Sequence, residues 1–466
     1  MVFSSLIFLF VFLPIVLVLY FITPNRFKNV ILLLSSLFFY TWGEGDLVLL
    51  LIGSSVFNYF IARYIQGKNK KAGLVLSIFF NLGLLGFFKY FNFTIDNINQ
   101  ILSLFGMHSE TLNNASKIAL PIGISFYTFQ ALSYCIDVYY GKIRANKNYI
   151  EFATYLCMFP QLVAGPIVRY IDIEAKFKER QPNIESISNG VERFMIGFSK
   201  KIIIANPLSQ IADEIFAMNY ADLSTSLAWL GIFAYSMQIY FDFSGYSDMA
   251  IGLGKMFGYD FLENFNYPYI SKSIKEFWRR WHISLSSWFK DYLYIPLGGN
   301  RKGATRTYVN LFIVFATTGL WHGASWNFIV WGLFYAVFLV IERLGFNKVL
   351  EKLPKVIAHI YALFVIVIGW VFFRANSLTA AVSYILSMFR LAGNDWANFR
   401  FVINNHYIFT IIVGIILSIP FPKLKAYIDA HEGAKIVRDV FVVLAFVVAV
   451  CFMVGSGYSP FLYFRF

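Results

Sequence analysis

Two histidines, each beside a tryptophan, are the residues of this chain best suited to chemistry. His282 lies in a basic, aromatic stretch at residues 276–291 (EFWRRWHISLSSWFKD), and His322 lies further along in residues 320–326 (LWHGASW). Imidazole has a pKa near 6.5 and can therefore take up or release a proton at neutral pH. This pattern predicts proton-transfer chemistry between the two positions. The alternative is that they are hydrogen-bonded core histidines.

His322 stands between two apolar runs, at residues 308–320 and 327–341, whose far ends both meet basic clusters. A helix from Tyr308 to His322 would rise about 20 Å, which is two-thirds of a ~30 Å hydrocarbon core. The histidine is therefore predicted to be buried at membrane depth, displaced toward the outside. Burial favours the neutral imidazole that a general base needs. Around it, the candidate substrate-binding residues are Trp321, Trp326 and Asn327, with Asn327 as an orienting partner.

The stretch around His282 has the spacing of an amphipathic helix over residues 276–292. One face would carry apolar side chains: Phe277, Trp281, Leu285, Trp288 and Tyr292. The other face would carry Lys275, Arg279, His282 and Ser286, and Arg280 lies beside it. Such a helix is either a basic anchor in the inner membrane interface or a docking face for an anionic donor. That donor would be a coenzyme A phosphate or an acidic carrier protein.

Two carboxylates raise a similar question, because Asp242 and Asp248 end an apolar run. Asp242 is a candidate donor-binding residue, and the alternative for both is a helix cap or an ion pair with a nearby cation. The glycines at 252, 254 and 258 lack the spacing of a nucleotide loop and indicate small-residue helix packing. No metal-ligand spacing occurs among the three cysteines, so no metal site is predicted.

Composition indicates that the bilayer is the solvent of this protein. Apolar residues make up 58% of the 466 positions and charged residues only 14%, against about 25% charged in ordinary globular chains. The net charge of +13 falls in short clusters between apolar runs, which is typical of a positive-inside topology rather than nucleic-acid binding. We predict an all-α polytopic protein of the cell membrane, with about ten to twelve crossings and both termini extracytoplasmic. A re-entrant hairpin is expected at residues 151–169, where Pro160 and Pro166 interrupt the run.

Several long motifs occur in the order typical of one family. They are residues 1–5 (MVFSS), 120–126 (LPIGISF), 160–166 (PQLVAGP), 241–248 (FDFSGYSD), 276–282 (EFWRRWH) and 320–322 (LWH). In these motifs the chain resembles membrane-bound O-acyltransferases (MBOAT), in particular the bacterial branch similar to the alginate O-acetylation membrane subunit. The resemblance covers nearly the whole chain and implies one membrane-embedded domain, a helical bundle with a through-membrane tunnel.

The resemblance also implies roles for particular residues. His322 corresponds to the family's catalytic histidine, and His282 to a second polar residue on the cytoplasmic side of the tunnel. The tail at residues 461–466 (FLYFRF) is similar to an aromatic C-terminal motif in which the residue at Tyr463 takes up the acyl group. The alternative for this tail is an aromatic belt at the membrane interface.

The single domain would then contain three functional segments: a cytoplasmic donor-side segment at 272–306, a hairpin carrying His322 at 308–341, and an extracytoplasmic tail at 455–466. We expect no bound cofactor. The donor is acetyl-CoA or an acyl carrier thioester, with His322 as general base and Tyr463 as a candidate relay. An extracytoplasmic SGNH-type serine transferase would place the acyl group on a cell-surface polysaccharide. Alternatives are D-alanyl transfer from a carrier protein to teichoic acid, and a transporter or flippase for a lipid-linked saccharide.

Overall fold

The computed structural model describes residues 1–67, 69–107, 117–180, 182–390 and 404–456, and every regular element among them is a helix. The predicted all-α class is therefore confirmed. The chain divides into two compact units, Met1–Gln181 with Gly323–Ser325, and Pro182–His322 with Trp326–Phe466. Tyr463 and most of the tail lie outside the described residues.

The first unit consists of four longer helices and several short ones. In chain order these are α1 Leu13–Ile22, α2 Lys28–Glu44, α3 Val48–Gln66, α4 Lys70–Leu104, α5 Ile124–Tyr139, α6 Tyr149–Cys157, α7 Phe159–Leu162, α8 Tyr170–Ile173 and α9 Lys176–Glu179. The segment at 151–169 is broken near Pro160 as the sequence indicates, with α6 and α7 on either side of Met158. Nearly all of this segment is buried. Its re-entrant course through the membrane stays a prediction.

The second unit contains both histidines. Its helices are α10 Ile184–Ser199, α11 Asn206–Ala217, α12 Thr225–Met256, α13 Ile274–Arg280, α14 Ile283–Phe289, α15 Gly303–His322, α16 Trp326–Ile341, α17 Asn347–Lys352, α18 Lys355–Arg374, α19 Leu378–Phe389, α20 Asn405–Leu417, α21 Pro422–Ala430 and α22 Glu432–Ser456. Single π-helical turns follow α10, α14 and α16, at Lys200–Ala205, Lys290–Tyr294 and Glu342–Phe346. The central helix is α12, because almost every residue in its middle is buried.

Both carboxylates of α12 form ion pairs with cations of α10 and of the π-helical turn that follows α10. Asp242 lies 2.5 Å from the Lys201 ammonium, and both side chains are almost fully buried. Asp248 contacts Arg193 at 2.6 Å and Lys200 at 2.7 Å. These contacts are the ion pairs that the sequence left as the alternative, and they neutralise two charges that would be costly in an apolar interior. The predicted small-residue packing is also found, because a side chain on Gly252 would collide with the Gly190 backbone of α10.

Fewer helices meet the length and apolarity of a membrane span than the ten to twelve crossings expected. Five qualify among the described residues, and a sixth if α20 and α21, bent by 79°, are one span. Long apolar stretches elsewhere are interrupted by polar residues: α12 carries Asp242 and Asp248, and α5 is only 16 residues long. One of the five, Asn25–Gln66, contains both α2 and α3, and the number of membrane crossings stays a prediction.

Two glycines let α15 and α16 approach closely. A Cβ on Gly319 would collide with the Phe328 carbonyl oxygen, and one on Gly332 with the Phe315 carbonyl oxygen. Close backbone approach at small residues is typical of helix pairs in membranes. His322 ends α15, so this contact fixes the helix pair that carries it.

We expect Gly319→Ala to destabilise the protein by about 1–3 kcal/mol, the usual cost of overpacking a close contact. The matched control is Gly83→Ala in α4, where an added Cβ meets nothing within 4 Å. Thermal unfolding of the purified variants in detergent measures the difference. Equal unfolding temperatures for the two variants would show that α15 and α16 do not need this approach.

Candidate functional site

His322 is enclosed by aromatic rings at the last residue of α15. Its ring centroid lies 5.1 Å from Trp331, 5.2 Å from Phe373 and 5.0 Å from Trp321, each at a steep angle. Only 6% of the residue is exposed. The predicted burial of this histidine is therefore confirmed, and three aromatic rings pack against it.

Trp321 separates the two histidines. Its ring centroid is 6.1 Å from that of His282 and 5.0 Å from that of His322. The structure therefore brings the two predicted histidines to either side of one indole ring.

The single helix predicted over residues 276–292 is wrong. Helix α13 ends at Arg280, Trp281 is extended, and His282 adopts a left-handed conformation with φ 45° before α14 begins. The physical reason is a loop that hydrogen-bonds both sides of the break. The Asn266 backbone N–H donates to the Arg280 carbonyl at 2.9 Å, and the Ile283 N–H donates to the Asn264 carbonyl at 3.0 Å.

The break changes where His282 lies. The sequence placed it on a water-facing basic surface, but the residue is 1% exposed and packs edge-on against Phe243 at 4.7 Å. Burial lowers the pKa of His282 to about 3, so its ring is neutral at physiological pH. The apolar set predicted for the other face, from Phe277 to Tyr292, is buried as expected.

Asn264 contacts the His282 ring and was not found by sequence reasoning. Its side-chain oxygen lies 3.2 Å from His282 Nδ1 and accepts hydrogen bonds from the backbone and hydroxyl of Ser284. Nothing in the spacing of residues 264 and 282 could have indicated this contact, because it depends on how the loop folds back.

A basic cleft of about 960 Å³ opens beside α13. Its cationic lining residues are Lys275, Arg279, Lys290, Arg343 and Lys348. Lys275 and Arg279 were predicted here, whereas Arg343 and Lys348 were interpreted only as topology signals. None of the five forms an ion pair with a carboxylate in the described parts of the chain. Arg280, also predicted, faces elsewhere and pairs with Glu276 at 2.9 Å.

A narrower cavity of about 220 Å³ shares the wall of the cleft and continues along α15. Its apolar walls include Trp278, Val314 and Phe315, and it reaches Thr318, which lies one helical turn before His322. The Trp278 ring is 5.7 Å from Trp331, the indole that contacts His322. Trp278 and Trp331 have buried indole N–H groups with no acceptor among the described residues. Two hydrogen-bond donors are thus available near His322.

Glu342 fixes the helix that carries the cleft cations. Its carboxylate accepts hydrogen bonds from the Ile274 and Lys275 backbone N–H groups, at 2.6 and 3.0 Å, and from the Tyr361 hydroxyl at 3.3 Å. A carboxylate is favourable at a helix N-terminus. Glu342 follows a long apolar run, where the sequence indicated only a span end.

The remaining predicted residues are not gathered at this site. The Asn327 amide donates to the Ala375 carbonyl at 2.6 Å, so its orienting role toward His322 stays a prediction. Trp326 is 54% exposed. Asp242 belongs to its ion pair with Lys201 and does not line the cleft.

Comparison with known proteins identifies the family. The model of the membrane-bound O-acyltransferase family, MBOAT, matches residues 142–387. The protein named "Probable alginate O-acetylase AlgI" of Pseudomonas putida is 42% identical over the whole of both chains. The peptidoglycan O-acetyltransferase of Helicobacter pylori is 38% identical over 84% of this chain and 80% of its own. The teichoic acid D-alanyltransferase of Bacillus subtilis is 30% identical over 50% of this chain and 62% of its own.

The family resemblance seen in the motifs is therefore confirmed, and with it the multi-pass membrane location and the acyltransferase class. The chain belongs to the membrane-bound O-acyltransferase family.

Proposed function

We propose that this protein moves an acetyl group from a cytoplasmic thioester across the cell membrane for O-acetylation of a cell-surface or extracellular polysaccharide. The observation that carries the proposal is His322, which is enclosed by aromatic rings next to an apolar passage that begins at a basic cleft. The names of the whole-length relatives support acetyl transfer to a polysaccharide. The relatives that support the D-alanyl alternative match about half of the chain.

The cleft has the charge that an acyl-CoA requires. Coenzyme A carries three phosphate groups, and five cations line the cleft at α13, the turns after α14 and α16, and the start of α17. The phosphates would stay there, near water. Only the uncharged pantetheine arm would enter the apolar passage between Trp278 and Phe315. An acyl carrier protein would present the same arm, so the cleft also fits a carrier thioester.

His322 acts in this proposal as the general base. The attacking hydroxyl gives its proton to the imidazole while its oxygen bonds to the thioester carbonyl carbon. The carbon–sulfur bond then breaks and the proton passes to the leaving thiolate, so the His322 imidazole returns to its neutral form and the acetyl group stays on the attacking oxygen as an ester. The unpaired Trp331 indole N–H, on a ring in contact with His322, is a candidate donor to the oxyanion that develops on the carbonyl.

The acceptor hydroxyl in the first transfer is that of Tyr463, and a partner on the outer face takes the acyl group from it. A phenol with a pKa near 10 needs a base at neutral pH. The partner is an extracytoplasmic SGNH-type serine transferase, because this chain has no G-x-S-x-G motif of its own. Both termini are accordingly extracytoplasmic in the inner membrane of a bacterium.

His322→Ala should lower acetyl transfer about 10²–10⁴-fold, the contribution usual for a general base. The measurement is the acetyl content of the surface polymer in cells, together with label transfer from radiolabelled acetyl-CoA by purified protein. His431→Ala is the control, because His431 is exposed directly after the end of α21. Unchanged acetyl content in cells that carry normal levels of the His322→Ala variant would contradict the proposed acetyl transfer and favour the transporter alternative.

Arg279→Gln and Lys348→Gln should each raise the KM for acetyl-CoA about tenfold, equivalent to the ~1.4 kcal/mol of one charge-assisted contact. Their kcat should change little, because neither residue contacts His322. Lys352→Gln, on the same helix as Lys348 but outside the cleft, is the matched control. If all three variants keep the KM that the unchanged protein has for acetyl-CoA, the donor binds elsewhere.

Tyr463→Phe should abolish the acetyl ester on the C-terminal peptide and reduce polymer acetylation to background. The phenyl ring keeps the apolar bulk of the tail, so an anchor would still function. Mass spectrometry of the C-terminal peptide after incubation with labelled acetyl-CoA detects the ester. If the phenylalanine variant acetylates the polymer fully, the tail is an interfacial belt and no relay.

A further inference from the structure

The contact between Asn264 and His282 determines which ring nitrogen of the histidine carries hydrogen. The first step is the orientation of the Asn264 amide. The Ser284 backbone N–H lies 3.2 Å from one amide atom and can only donate, so that atom is the oxygen. The amide nitrogen, on the other side, donates to the Ser247 hydroxyl at 3.2 Å. The amide is therefore held at both ends.

An oxygen facing a ring nitrogen requires a hydrogen between them. His282 Nδ1 lies 3.2 Å from the Asn264 oxygen, so Nδ1 is the nitrogen that carries the proton. In a neutral imidazole the lone pair is then on Nε2. This nitrogen is buried and has no hydrogen-bond partner among the described residues.

The backbone geometry indicates that this arrangement is imposed rather than incidental. His282 is one of two non-glycine residues with positive φ in the described chain, and such strain persists only where its surroundings determine it. Asn264 provides two of those constraints. Its side-chain oxygen faces the His282 ring, and its backbone carbonyl accepts a hydrogen bond from the Ile283 N–H. The ring then has Phe243 and Trp321 as neighbours.

We infer that Asn264 is a positioning residue that holds His282 in its Nδ1–H form, so that the Nε2 lone pair accepts a hydrogen bond from an amide N–H of the donor's pantetheine arm. The inference rests on the proposed thioester donor. Both donor candidates, coenzyme A and a carrier protein, carry an arm with amide N–H groups. A buried acceptor with no protein partner matches a donor that arrives with the substrate.

No charged group contacts the ring in the described parts of the chain, so its protonation depends on Asn264. The charged groups on the surrounding elements include four carboxylates, those of Asp242 and Asp248 on α12, Glu263 in the loop and Glu276 on α13; the others include Lys275, Arg279 and Arg280 on α13, and His322 lies at the end of α15. The four carboxylates are paired with cations. Arg279 faces the cleft, and His322 lies beyond Trp321.

Asn264→Asp tests the inference, because it keeps the accepting oxygen and adds a negative charge beside Nδ1–H. The charge raises the pKa of His282, so as pH falls Nε2 gains a proton and becomes a donor that repels the amide N–H. The KM for acetyl-CoA should then rise about tenfold per pH unit below the new pKa. In the unchanged protein it should stay flat over the same range.

Two variants make this result specific. Asn266→Asp adds the same charge two residues away on an exposed side chain, and its KM profile should stay flat. Asn264→Asp combined with His282→Gln should lose the new pH dependence, because the titrating ring is gone. A flat KM profile for folded Asn264→Asp protein would overturn the inference.

The tautomer can also be measured in the unchanged sequence, independently of activity. Nitrogen-15 NMR of histidine-labelled protein distinguishes a protonated from an unprotonated ring nitrogen. The His282 signal is the one that survives each single replacement of the other five histidines. A protonated Nε2 and bare Nδ1 would refute the assignment even if acetyl transfer is confirmed, and absent transfer with an Nδ1–H ring would refute only the proposed function.

Discussion

The left-handed backbone at His282 is the constraint on which the site depends. It divides a stretch that would otherwise form one amphipathic helix into α13 and α14. With an unbroken helix, His282 would share a face with Lys275 and Arg279. The break instead separates them: the two cations line an open cleft, and the imidazole turns into the protein interior.

The same break allows charge and chemistry to occupy different environments. Charges are inexpensive where water reaches them, and costly in an apolar interior unless paired. The cations of the cleft remain near solvent, whereas His282 and His322 lie among aromatic rings. A donor with a charged head and an uncharged arm matches this division along its length. Glu342 stabilises the arrangement because it satisfies the N-terminal backbone of α13.

Local patterns in the sequence predicted part of this site and missed the rest for a clear reason. The burial of His322 follows from two apolar runs with basic ends, and the cleft position of Arg279 follows from helical spacing within seven residues. The break at His282 depends on backbone hydrogen bonds from residues 264 and 266, and no local pattern encodes them. Arg279 and Arg280 are adjacent and identical in type, yet Arg280 lies outside the cleft, where it contacts the Glu276 carboxylate and the Asn266 carbonyl.

The ion pairs of the second unit show why the cleft cations are distinctive. Lys200, Lys201 and Arg193 carry the same charge as Lys275 or Lys348, but they pair with carboxylates that the fold buries on α12: Lys201 with Asp242, and Lys200 and Arg193 with Asp248. Those ion pairs neutralise carboxylates that would be costly to bury alone, and they leave little net charge to attract a ligand. The five cations of the cleft form no ion pair with a carboxylate in the described parts of the chain and share the cleft with the acidic residue Glu342, so an anion from outside would further relieve their mutual repulsion. The cations of the second unit thus fall into two groups: some pair with the buried carboxylates of α12, and others line the open cleft.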